Sequence, residues 1–140
     1  MAAVDFESLY DAFLFVSAGQ PMENEGYLRR EDCKIYLRSD YVDDEEPLPE
    51  DLAEDEKYLA IPHKNDFDLG KPLALKFAAQ SLPNELLTVN AMFSARGAYA
   101  RFKDLLERND LLKQWHEFEE QAGRNALREW CSENGIALAD

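Results

Sequence analysis

Three cations crowd the start of one short helical stretch, SARGAYARFKDLLER, where Arg96, Arg101 and Lys103 stand beside Gly97. The 140-residue chain carries 29 acidic and 15 basic side chains, a formal net charge of −14, so a local group of bases is its most anion-attracting feature. A helix start exposes unpaired amides at the positive end of the helix dipole, and each exposed cation placed there costs about 0.3–1 kcal/mol. A phosphate or a partner's carboxylate on the Gly97 amide, flanked by Arg96 and Arg101, would turn that cost into affinity. Local pairing is the alternative. Asp104 and Arg108 are four residues apart, Arg101 and Asp104 three, and Arg101 or Lys103 can instead clamp an acidic segment of the same chain. No phosphate-loop pattern accompanies these residues.

The acidic segment is DYVDDEEPLPEDLAEDE, residues 40–56, which holds ten acids and no base and leaves only −4 on the rest of the chain. Its densest part, Asp43, Asp44, Glu45 and Glu46, is a candidate contact surface for a basic protein partner drawn in by electrostatic steering, the alternative being a solvated loop. The same field repels generic nucleic acid and anionic membrane over roughly 8 Å at physiological salt. Calcium needs acids converging at alternate positions around a glycine; here prolines interrupt and no glycine occurs between Asp40 and Glu56. Mimicry of DNA by the acid run would need regular carboxylate spacing, which Pro47 and Pro49 oppose.

Other chemistry has little local support. His63 follows Pro62 at a strand end, and His116 sits between Trp115 and Glu117, neither with a second histidine or a cysteine at zinc-ligand spacing. Cys33 and Cys131 are far apart and read as buried thiols rather than a disulfide. No Gly-x-Ser-x-Gly elbow occurs. No catalytic residue, metal site or cofactor is predicted, and the reading leans away from an enzyme. The amino-terminal residues do not resemble a signal peptide, and no apolar run approaches the ~20 residues of a membrane helix, so a cytoplasmic protein is expected.

The elements that must position these residues follow from periodicity. Phe6, Leu9, Tyr10, Phe13 and Leu14 recur at helical spacing behind Asp5, a cap residue, and Gly19 and Pro21 end that helix. EGYLRREDCKIYLRSD reads as a hairpin with Ile35 and Leu37 on one face and Tyr36 on the other, and KYLAIPH as a third strand. Helices follow over roughly 68–81 with Pro72 in the first turn, from Pro83 through Leu86, Leu87, Val89 and Phe93, from Gly97, and from a capping Asp110 to ENGI. Gly135 there supplies a left-handed stop. Leu111, Trp115, Phe118 and Ala122 share a stripe from which Leu127, Trp130 and Cys131 are rotated, so the last helix either bends at Gly123 or packs its halves against different neighbours. The expected fold is a single α+β domain over residues 1–140: an N-terminal helix, a small antiparallel three-stranded meander, and four helices forming a C-terminal half packed on the sheet.

The blocks RGAYARFKDLL, WHEF and REWCSENGI, at matching separations, resemble a bacterial family of uncharacterised proteins, number 0158 of the UPF series. EGYLRREDCKIYL and EKYLAIP fit the family's earlier strands more loosely, so the likeness runs from about Tyr27 to Ile136, and Gly123 departs from it. The family has no established activity, and the resemblance implies a fold without adding chemistry. The leading reading is a small macromolecule-binding domain that uses the acidic segment and the Arg96/Arg101/Lys103 surface. Its alternative is an enzyme or binding domain for a small phosphorylated ligand at those same three cations.

Overall fold

The computed structural model describes residues 3–20, 22–40, 47–54 and 56–139. It has the expected α+β order of an N-terminal helix, a three-stranded antiparallel sheet and then helices, and it divides into two compact units, Met1–Phe67 with Ala126–Asp140, and Asp68–Asn125.

The first unit opens with α1, Phe6–Ser17. Asp5 caps it: extended at φ −70°, ψ 120°, it accepts the Ser8 backbone N–H at 3.1 Å and the Ser8 hydroxyl at 2.8 Å. Asp5→Ala is expected to lower stability by about 0.5–2 kcal/mol, read as a lower urea midpoint at unchanged slope. The buried face consists of Phe6, Leu9, Tyr10, Phe13 and Val16, while Leu14, expected on that face, is 48% exposed at its edge.

Strands β1 (Asn24–Arg29), β2 (Ile35–Ser39) and β3 (Tyr58–Ala60) form a sheet in the order β2-β1-β3. The order corrects the meander: β3 lies on the free edge of β1 rather than beside β2, because the connection from Ser39 to Tyr58 is long enough to cross back. Tyr27 is paired with Tyr36 on one side and Ala60 on the other. Strand alternation gives the sheet two unlike faces. Gly26 and Leu28, with Ile35, Leu37 and Leu59 opposite, share the face toward α1, Leu37 at its 40%-exposed margin, and a Cβ on Gly26 would lie 3.1 Å from the Val16 side chain of α1. The outer face carries Glu25, Tyr27, Arg29, Tyr36, Arg38 and Tyr58.

Past β3, His63 is buried and fastens the chain to the end of α1. Its Nδ1 accepts the Asn65 N–H at 3.1 Å, so Nε2 carries the proton and donates to the Gly19 carbonyl at 2.8 Å. The carboxyl end returns to the amino end through a parallel bridge of Val4 and Leu138.

The second unit holds α2 (Lys71–Ser81), a 3-10 turn at Pro83–Glu85, α3 (Leu86–Met92), α4 (Ala98–Arg108) and the start of α5 (Leu112–Glu133). Pro72 occupies the first turn of α2, where its missing N–H is unneeded. Phe77, Val89, Phe102, Leu106 and Trp115 form the core, with the Trp115 ring 5.0 Å from Phe102 and 5.4 Å from Phe77. Leu87, expected in the apolar set of α3, is 85% exposed.

Two helix ends show how local geometry is settled. Gly135, at φ 69°, closes α5 with the paired bonds of a Schellman stop: Ile136 N–H to the Cys131 carbonyl at 2.8 Å and Gly135 N–H to the Ser132 carbonyl at 3.3 Å. Asp110 does the same for α4 rather than capping α5. It sits at φ 56°, with Leu111 N–H on the Leu106 carbonyl at 2.8 Å and Asp110 N–H on Glu107 at 3.1 Å. Aspartate is among the few residues that visit the left-handed region readily, so the tight link between two helices uses it as a stop instead of a start.

Helix α5 is continuous through Gly123, and its stripe change has a structural counterpart. Trp115, Phe118 and Ala122 belong to the core of the second unit, whereas Leu127 and Cys131 are buried in residues assigned to the first. Trp130 is half-buried. Both cysteines are free thiols, Cys131 buried and Cys33 half-buried. Burial pushes the Cys131 thiol up to about 11.

Candidate functional site

Gly97 begins α4 at φ 75°, ψ 18°, a left-handed backbone that favours glycine, and the first helical bond runs from the Arg101 N–H to its carbonyl at 3.2 Å. Arg96, Gly97, Arg101 and Lys103 are all exposed. At about 100° per residue Arg101 and Lys103 diverge by roughly 200° around the axis. The buried Phe102, Leu105 and Leu106 stripe lies between them, so they flank α4 on opposite sides and do not converge on one small anion. None of the three cations reaches a carboxylate within ion-pair distance among the described residues. The expected Asp104–Arg108 pair takes another form, Arg108 Nε donating to the Asp104 carbonyl at 3.4 Å. Asp43, Asp44, Glu45 and Glu46 lie outside the described residues.

A second concentration of cations, which no contiguous stretch of the sequence displays in full, lies in the first unit. A cleft of about 800 Å³ opens on the outer face of the sheet, lined by Arg29, Arg30, Lys34 and Lys57 and by Tyr36 and Tyr58. Pro47 and Pro49 form another wall, and Glu31, Asp51 and Glu56 complete it. Arg29 Nε donates to Asp32 at 2.9 Å, and Asp32 is held down to about 2, chiefly by that guanidinium. The Arg29 and Lys34 cations stand 5.6 and 5.0 Å from the Tyr36 ring centre, and Tyr36 meets Tyr58 edge-on at 6.4 Å. The Tyr58 hydroxyl donates to Asp51 at 2.7 Å, and Lys57 reaches both Asp51 and Glu54. Arg30 Nη1 donates to the Asn134 carbonyl at 3.1 Å, fixing the hairpin end to the end of α5. The signal in the sequence was LRREDCKIY: its bases straddle a turn, so pairing of the two strands brings them to one end of the sheet.

Further along that face Arg38 ties three groups together. It donates through Nε to Glu25 at 3.0 Å, through Nη1 to Asp40 at 2.7 Å and through Nη2 to the Met22 carbonyl at 2.8 Å. Glu25 also accepts the Tyr27 hydroxyl at 2.8 Å. The Arg38 hydrogen bond lowers the Glu25 pKa, while burial, then the bond to Glu25, pushes Tyr27 up to about 12. A raised folded-state value favours the protonated phenol, so Tyr27 contributes stability that is complete below pH ~10, its unfolded value, and lost as pH rises through about 12. Ultraviolet titration of phenolate should show a late-ionising tyrosine that Tyr27→Phe removes and Glu25→Gln shifts to lower pH.

His116 is exposed on α5, and among the described residues no group of three or more His, Cys, Asp or Glu side chains is placed to hold a metal ion. No helix among them is long and apolar enough to cross a membrane. No family model, curated protein or solved structure matches this chain.

Proposed function

We propose that this chain is a non-catalytic, cytoplasmic domain that binds a protein partner through segregated charge. The start of α4 meets an acidic patch of the partner, and the acid run around Asp43, Asp44, Glu45 and Glu46 meets a basic one. The observation that carries this reading is that three exposed bases cluster at one helix start with no carboxylate of their own chain paired to them among the described residues. Arg29, Arg38 and Lys57 are each paired with carboxylates of their own chain, whereas Arg96, Arg101 and Lys103 are exposed and have none within ion-pair distance among the described residues. Placement of Arg101 and Lys103 on opposite flanks favours a broad protein surface over a single phosphate, because one small anion touches only one flank.

The test is capture of partners at low salt by three forms of the protein: unaltered, R96E/R101E/K103E, and D43N/D44N/E45Q/E46Q. A partner held by the unaltered chain, released by salt and lost by either charge variant, supports the reading. Equal recovery by all three forms rejects it.

A further inference from the structure

We propose that the cleft between the outer face of the sheet and the Pro47–Pro49 wall is a binding site for a small phosphorylated ligand bearing a flat ring, of the nucleoside monophosphate class. The site lies wholly within the first unit and does not rest on the partner-binding reading of α4.

Size is the first argument. About 800 Å³ falls within the ~300–1,000 Å³ of small-molecule sites. Chemistry is the second. Four bases line the cleft in a chain whose acids outnumber its bases almost two to one; Arg29 and Lys57 are paired with carboxylates, while Arg30 has none within ion-pair distance among the described residues. Arg30 uses Nη1 on the Asn134 carbonyl, and a guanidinium has five N–H donors, so it keeps the fork that suits a phosphate. Arg29 is held in place by Asp32, which limits the rotamer entropy lost when a ligand binds. The two prolines offer apolar surface for a ring, above a floor made by Tyr36 and Tyr58, which are only 7% and 5% exposed.

The carboxylates narrow the class further. Glu31 and Glu56 would repel a polyanionic strand, yet they can accept hydrogen bonds from sugar hydroxyls or a ring amino group. A lining with a slight excess of bases therefore suits one molecule that carries both an anion and donors. Bare phosphate uses only the bases, and a bare nucleoside only the rings and acids.

The experiment is amide NMR and thermal denaturation of the full chain with AMP, UMP, adenosine and inorganic phosphate as probes. A nucleoside monophosphate is expected to perturb the resonances of Arg29, Arg30, Lys34 and Tyr36 and to raise the melting temperature. Adenosine and phosphate alone should bind at least tenfold more weakly. Arg30→Gln should weaken binding tenfold or more and Lys76→Gln, at an exposed base of α2, should leave it unchanged; if Arg30→Gln fails to fold, Lys34→Gln takes its place. The proposal is overturned if neither monophosphate perturbs the cleft at millimolar concentration, if the perturbed residues lie on α4, or if a folded cleft variant binds as the unaltered chain does.

Discussion

Trp115→Ala is expected to lose about 3–5 kcal/mol, the range for emptying a buried aromatic position. Trp115 is 0% exposed and its ring meets Phe77, Phe102 and Phe118, with Phe93 behind Phe102 at 5.8 Å. These rings come from α2, α4, α5 and the end of α3, so removing the indole takes ring contacts from α2, α4 and α5 directly and reaches Phe93 through Phe102. Set against the ~5–15 kcal/mol that holds an ordinary domain together, the loss is a large share of the whole and should lower the urea midpoint strongly. The indole also carries a cost in the native state, since Trp115 Nε1 is buried without a hydrogen-bond partner among the described residues. Trp115→Phe keeps a ring and removes that donor, and should be far less damaging than alanine. Urea unfolding followed by far-ultraviolet circular dichroism decides both. An alanine variant with a midpoint near that of the unaltered chain would mean that the ring cluster does not hold the unit together.

What could be read from the residues was what is encoded locally. The Asp5 cap, Pro72 in a first turn, the Gly97 helix start and the Gly135 stop each depend on a handful of neighbouring positions, and each is present. Asp110 misled because the same side chain suits a helix start and a left-handed stop, and the short link after Asn109 selects the second. Strand order escaped for a different reason: the pairing of β3 with β1 is made across a long connection, and no local signal says which edge is taken. The candidate site divides likewise. Arg96, Arg101 and Lys103 attract notice because they are adjacent in sequence, but helical geometry sends Arg101 and Lys103 to opposite flanks. The bases of the sheet cleft are separated by a turn and by the whole acidic run, and only strand pairing assembles them. At the stripe change of α5 periodicity left two outcomes open, and the assignment of its halves to different units matches the second.

The other large effect belongs to the inner face of the sheet. Leu28 is 0% exposed near the end of the central strand, flanked by Ile35 on β2 and Leu59 on β3, so Leu28→Ala opens a cavity that two neighbouring strands restrain from closing. A loss of about 2–5 kcal/mol is expected, read as a lower urea midpoint and faster amide exchange across β1. Gly26, two residues away on the same face, has the opposite defect. A Cβ there would stand 3.1 Å from the Ile61 and Val16 side chains and 3.2 Å from Leu37, so Gly26→Ala overpacks the layer, at a cost of about 1–3 kcal/mol. The double variant tests whether the layer relaxes as one body. If the space left by Leu28→Ala lets Val16 and Ile61 yield to the new methyl, the two losses will fall short of additive by more than ~0.5 kcal/mol. Strict additivity would show that each position is held by its own neighbours, and the layer between α1 and the sheet would then be stiff rather than shared.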